Sequence, residues 1–328
     1  MHAQIARGLD RSLDQSWDRV LEKQPFHQCW YPVALAKDIT AAHVTGLDFL
    51  GTRIVAYRGA GNQPIVQEAW CPHLGADLSL GECVAGTVRC PYHHWRFGAD
   101  GTCVDIPTGD KIPPGARIFT FPTVEAWGLV WAFNGVEPLY DVPGIPGIQE
   151  SDLFYSTQAR SDRKAPPWLS TSNGVDFQHL RTLHNLQTGA PDDIDVRDYE
   201  IEFRIDTAAY MQHGKISGTN VFAQHLRIQD SNQFMLFAGA PIDADISRGF
   251  FVVGIKKPEP GPDNEKAAAA HLEGLRTFVQ GLITEDDAVL NTINFRRGVM
   301  TASDRHLSRY FKYVSEYPLA AVGASNAP

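Results

Sequence analysis

The sequence predicts an α+β protein in two parts: a small all-β domain, then a larger domain mixing strands with helices. Three observations predict it. From Trp30 to about Phe133 the apolar runs are short and punctuated by glycine, as in strands joined by turns. Pro138, Pro143 and Pro146 with nearby glycines then break the chain. Beyond that break, strand-like text over residues 152–256 surrounds a helix-like stretch near 173–186 and precedes a long helical pattern from Glu265 to about Asn291. The domains expected are residues 1–25 as an N-terminal helix that can pack on the second domain, 26–136 as the β domain and 137–328 as the mixed domain.

Taken in order, residues 4–23 place Ile5, Leu9, Leu13, Trp17 and Leu21 at helical spacing. Val44–Leu50, Arg53–Arg58 and Ile65–Trp70 read as strands, with Gly51 and Gly59-Ala60-Gly61-Asn62 as turns. Val124–Phe133 reads as one more apolar strand. In the long helix, Leu272, Leu275, Phe278, Leu282 and Val289 form the apolar set. The tail from Ala320 to Pro328 is small and polar, an end expected to fray.

Composition narrows the function. The chain has 328 residues and a net charge of −9 with its basic residues scattered, which disfavours nucleic acid as a partner. The charged N-terminus lacks a signal-peptide core, and no run approaches the ~20 apolar residues of a membrane span; a cytoplasmic protein is expected. Of five cysteines, Cys29, Cys83 and Cys103 have no framework spacing and read as free thiols. No GxGxxG follows a strand, so electrons for any redox chemistry are expected from another chain.

The chemistry is carried by two motifs. Cys71-Pro72-His73 is followed, sixteen residues on, by Cys90-Pro91-Tyr92-His93. Two thiolates suit one iron of a [2Fe-2S] cluster and two imidazoles suit the other, which raises its potential over an all-cysteine cluster. A structural zinc uses the same ligand types, but each half of this motif mixes Cys with His, where zinc fingers usually segregate them. Tyr92, Trp95 and Phe97 are expected to pack around the cluster and exclude water.

The second motif is Asp176-x2-His179-x4-His184. Two imidazoles and one carboxylate on one face of a ferrous ion are the signature of non-haem iron oxygenases. On a regular helix His179 and His184 lie roughly 140° apart, so a bulge or helix end is needed between them. Asp176, three residues before His179, can accept a hydrogen bond from the ring nitrogen that faces away from the metal.

The stretch CPHLGADLSLG…VRCPYHHWRF resembles the Rieske domain of ring-hydroxylating and demethylating oxygenases, and Asn173–His184 resembles that family's N-x2-D-x2-H-x4-H motif. The resemblance implies that Cys71 and Cys90 bind one iron and His73 and His93 the other. It implies a mononuclear Fe(II) at His179 and His184, with Asp176 bridging to the cluster histidine of an adjacent subunit. It also implies a late carboxylate ligand. In Ile283-Thr284-Glu285-Asp286-Asp287 the pattern favours Asp286, with Asp287 as runner-up and Glu285 behind it. His94 departs from the family, which has glycine there; the C-x2-H spacing selects His93 as ligand and leaves His94 a neighbour.

Membership would imply a terminal oxygenase: a second domain with a curved antiparallel sheet under covering helices (helix-grip-like), a head-to-tail homotrimer, and a partner NAD(P)H-dependent reductase or ferredoxin. The substrate is expected to be aromatic or otherwise mostly apolar, in a pocket drawing on Leu180, Leu183, Asn185, Phe222, Phe234, Leu236 and Ile283. Hydroxylation or oxidative demethylation is the leading expectation and ring cis-dihydroxylation the alternative. A Rieske electron carrier would leave the second motif idle.

Overall fold

The computed structural model describes residues 26–186, 188–296 and 298–320; the helix expected over 4–23 lies outside them. Eleven short strands build the first domain: β1 (Trp30–Leu35), β2 (Thr45–Phe49), β3 (Thr52–Arg58), β4 (Pro64–Glu68), β5 (Glu82–Val84), β6 (Thr87–Arg89), β7 (Arg96–Phe97), β8 (Cys103–Asp105), β9 (Thr120–Phe121), β10 (Thr123–Ala126) and β11 (Leu129–Phe133). They form three antiparallel sheets, ordered β2-β3-β4-β9, β5-β6-β7-β8 and β1-β11-β10. Val55, Tyr57, Leu78, Val88 and Phe97, all fully buried, join the first two into one small core.

The apolar run Val124–Phe133 is not one strand. It folds back at Trp127-Gly128, where φ is +59° and +67°, so that Ala126 pairs with Leu129. A two-residue loop with both residues left-handed matches the twist of the paired strands. Gly128 adopts this freely. Trp127 is held there by tertiary contacts: its ring is buried and its Nε1–H donates to the Pro143 carbonyl at 3.1 Å.

The second domain is a seven-stranded antiparallel sheet. Its strands are β12 (Leu153–Arg163), β13 (Asp195–Val196), β14 (Glu200–Asp206), β15 (Tyr210–Ser217), β16 (Val221–Ile228), β17 (Ser231–Pro241) and β18 (Ser247–Lys256), in the order β12-β18-β17-β16-β15-β14-β13. Alternation decides which side chains face which way. Phe234, Leu236, Phe250 and Val252 pack on Trp127, Leu129, Trp131 and Phe133 of the first domain. Met235, Phe251 and Val253 face the opposite way, under a long helix.

Among the described residues four helices accompany the sheet: α1 (Pro167–Thr171), α2 (Phe177–Thr182), α3 (Pro262–Leu290) and α4 (Arg305–Glu316). Helix α3 begins three residues before the sequence pattern does, since Pro262 suits the first turn, where no backbone N–H is needed. Its buried stripe is Ala268, Leu272, Leu275, Val279 and Ile283, the spacing of one helix face. Helix α4 was not anticipated. It buries Tyr310, Phe311, Tyr313 and Val314, and the Tyr310 hydroxyl donates to the Trp168 carbonyl at 2.7 Å.

Candidate functional site

The two loops of the first motif repeat one backbone pattern. Cys71 N–H donates to Ala76 O at 2.9 Å and Gly75 N–H to Cys71 O at 2.8 Å. In the second loop Cys90 N–H donates to Trp95 O at 2.8 Å and His94 N–H to Cys90 O at 3.2 Å. Gly75 and His94 therefore occupy equivalent positions, each four residues after a cysteine, and both are left-handed, at φ +74° and +60°. That geometry favours glycine, with histidine among the better-tolerated alternatives. His94 is accordingly a turn residue with an exposed side chain.

The loops bring together Cys71, Cys90, His73 and His93, and sort them by depth. The thiols are buried (3% and 1% exposed); the imidazoles are exposed, with ring centroids 4.6 Å apart. Burial, reinforced by the neighbouring Cys90, pushes the Cys71 thiol up to about 12. A thiolate in the place of Cys71 requires bound positive charge to stay ionised. The segregation of thiols inward and imidazoles outward fits a two-iron cluster spanning both depths better than a single zinc ion. The expected aromatic shield is corrected in part. Phe97 is buried and Trp95 stacks on His73 at 4.6 Å and 4°, but Tyr92 is 64% exposed, tilted against His93. Trp70, Leu74 and Leu80 are likewise exposed in this part of the domain.

Around the second motif the chain is broken rather than continuously helical. After α1 a 3-10 turn spans Ser172–Val175 and Asp176 leaves the helical region at ψ 84°. Asp176 caps α2: its Oδ1 accepts from the N–H groups of Gln178 and His179, both at 3.1 Å. The capping carboxylate is not what meets the His179 ring; the Asp176 backbone carbonyl faces Nδ1 instead. Beyond Thr182 the helix unwinds. Leu183 N–H and His184 N–H both reach the His179 carbonyl, at 2.8 and 3.4 Å, and Asn185 turns left-handed at φ +53°. This distortion between the histidines brings their ring centroids to 5.2 Å.

The acidic triplet of α3 divides three ways, because successive helix residues point about 100° apart. Asp286 faces the histidines, its Oδ1 3.1 Å from His184 Nε2. Donor atoms of His179, His184 and Asp286 all lie within 4.8 Å of one another. Glu285 stands behind the same imidazole, with Oε2 2.7 Å from Nδ1. Asp287, the runner-up, turns away to accept from Arg160 and Arg163. Burial raises the Asp286 carboxyl, while His179, His184 and an Asn173 hydrogen bond pull it back. Two imidazoles and one carboxylate converging on a point suit a ferrous ion. The sequence reading missed Glu285 as a partner of His184 and the arginines on Asp287; no local spacing marks either.

This group opens onto a cavity of about 750 Å³ between the sheet, α3 and the α1–α2 segment. Leu180, Phe222 and Ile283 line it as expected. Phe234 and Leu236 do not: they lie on the opposite face of β17, in the seam with the first domain, and their neighbours Met235 and Phe237 take the wall. Leu183 and Asn185 are exposed and are not wall residues. Polar atoms are few; Gln212 Nε2 donates to Gln224 Oε1 at 2.7 Å.

Comparison with known proteins accords with this architecture. Residues 29–122 match the Rieske [2Fe-2S] domain. The chain is 34% identical over 165 residues to cholesterol 7-desaturase of Bombyx mori, covering 49% of this chain and 36% of that protein. It is 33% identical over 171 residues to aminopyrrolnitrin oxygenase PrnD of Pseudomonas fluorescens, covering 49% and 47%. The match thus spans less than half the length of these relatives. In structure it is similar to dicamba monooxygenase with non-heme iron and dicamba, at a TM-score of 0.68 over 89% of this chain and 97% of that one. At 20% identity this is a likeness of fold. Among the described residues no helix is long and apolar enough to cross a membrane.

Proposed function

We propose, for a chain that belongs to the Rieske non-haem iron oxygenases, that it is the terminal oxygenase of a multicomponent system, hydroxylating or oxidatively demethylating an aromatic or other mostly apolar small molecule. The observation that carries this reading is the convergence of His179, His184 and Asp286 at the wall of an apolar cavity.

When bound, the [2Fe-2S] cluster and the mononuclear iron would supply electron storage and O2 activation. Cys71 and Cys90 would hold the first group from inside, and His73 and His93 from the surface. His93 would face a neighbouring subunit's Asp176 in a head-to-tail homotrimer, a ring-closing heterologous arrangement. Asp176 can serve there because it already ties its carboxylate to α2 and its carbonyl to His179. His179, His184 and Asp286, which line the cavity, would hold the mononuclear iron. Met235, Phe237, Phe278 and Ile283 would exclude water and orient the substrate.

The relatives' names span a cholesterol 7-desaturase and an aminopyrrolnitrin oxygenase, in keeping with an apolar cavity and without selecting one substrate. The test is a substrate screen on the purified holoprotein with a surrogate NAD(P)H-dependent reductase or ferredoxin, following NADH use, O2 uptake and product together. Coupled formation of an oxygenated or demethylated product is the expected result. NADH oxidation without product from any compound in a broad aromatic and steroid panel would contradict it, and a cis-diol product would replace monooxygenation by dihydroxylation.

A further inference from the structure

The cavity wall carries a cation that the metal-ligating group does not use. Strand β12 leaves its pairing with β18 at one place: Ala159 pairs with Phe250 and Asp162 with Arg248, so Arg160 and Ser161 together oppose Gly249. Such a two-against-one bulge re-aims side chains, and both residues line the cavity. Gly249 leaves the room that Arg160 occupies. A Cβ there would stand 3.1 Å from Arg160 Cδ and 3.4 Å from Nε.

Arg160 is only partly paired. Its Nη2 donates to Asp287 Oδ1 at 3.0 Å. Arg163 already engages that same oxygen through Nε at 2.7 Å and through Nη2, and gives its Nη1–H to Ser170 Oγ. Arg160 Nε is buried without a hydrogen-bond partner, in a side chain only 11% exposed. Ser170, having accepted from Arg163, keeps its own O–H to donate, and it too lines the cavity. The guanidiniums of Arg160 and Arg163 share the carboxylate of Asp287. Asp286 also acts on Arg163, so Arg160, held by a single hydrogen bond to Asp287, is the less compensated of the two. A buried charge without a full partner is costly.

We propose that Arg160 is the seat of an anionic group on the substrate, and that the substrate is an apolar ring compound bearing a carboxylate. The guanidinium fork matches a carboxylate in shape and charge, and Ser161 and Ser170, which line the same cavity, offer further hydroxyl donors. This deepens the oxygenase reading, since it assigns a ligand class to the same cavity.

The test is calorimetric titration of the holoprotein with naphthoate and with naphthamide, its neutral isostere. A charge-assisted bidentate contact predicts naphthoate about tenfold tighter or more. In Arg160→Gln the two ligands should bind about equally, with naphthamide little changed; Arg160→Lys, which keeps the charge and loses the fork, should fall between. Equal binding in the wild type, no measurable binding of naphthoate, or a preference for naphthoate that survives in Arg160→Gln would each overturn the proposal. The wild-type comparison decides it even if the glutamine variant does not fold. Because binding is read without turnover, failure here leaves the oxygenase reading standing, and failure of turnover leaves this measurement intact.

Discussion

Glu285 and His184 form a pair at the back of the proposed iron site: Glu285 Oε2 lies 2.7 Å from His184 Nδ1, while Nε2 of the same ring faces Asp286. A carboxylate in this position fixes the tautomer, turns the lone pair of Nε2 toward the metal and raises its basicity. Glu285→Ala is therefore expected to weaken ferrous iron binding by about 10–100-fold, measured by chelator competition, with the visible spectrum of the cluster unchanged. Glu285→Gln, which retains an acceptor oxygen, should lose less. Unaltered iron affinity in the alanine variant would show that Glu285 does not orient the ring.

Asp287 has a different task from its neighbour. It holds Arg160 and Arg163 of β12 against α3, and Arg163 is 7% exposed. Asp287→Ala strands that guanidinium and should cost roughly 3 kcal/mol of stability, seen as a lower denaturation midpoint. Asp286→Asn should instead release the mononuclear iron with little loss of stability. An Asp287 variant that loses iron while keeping its stability would reverse the two roles.

Asp176→Asn separates the capping role of this residue from its charge. Asparagine caps helices as well as aspartate does, so α2 and both metal groups should be retained. Coupled product formation should collapse, because the proposed bridge between subunits has lost its carboxylate. Near-normal turnover in the variant would remove Asp176 from the electron path.

His94→Gly relieves a left-handed side chain at φ +60°. Glycine at the equivalent Gly75 shows what the loop accommodates, and the relief is worth about 1 kcal/mol. The variant should keep the Rieske spectrum and bleach at a higher temperature. Loss of the cluster would instead make His94 a ligand.

These sites were unequally legible in the sequence. The cluster loops are local: ligands, prolines and turn residues sit within a few positions of one another, and the pattern reads directly. The unwinding between His179 and His184 follows from their spacing alone. Selecting Asp286 over Asp287 rested on resemblance, and the roles of Glu285 and Asp287 depend on where α3 lies against β12 and α2, which no local pattern encodes. Phe234 and Leu236 were misplaced because a strand inverts its faces at every residue, so an apolar run buried on both sides does not reveal which set lines the cavity. Arg160 was hidden by a bulge, which period-2 reading cannot foresee. Helix α4 was missed because its packing stripe is largely aromatic and interleaved with charges, and Trp127 masked a turn usually marked by glycine or asparagine.

The central claim, an electron-storing cluster and a separate mononuclear iron in one chain, is tested most directly by iron and acid-labile sulfide analysis of the wild type beside His179→Ala and His184→Ala. Roughly three irons and two sulfides are expected per wild-type chain. Both variants should fall to about two irons with the red-brown colour and sulfide retained. Two irons in the wild type, unchanged by either substitution, would reduce the protein to an electron carrier, and a colourless zinc protein would contradict the account altogether.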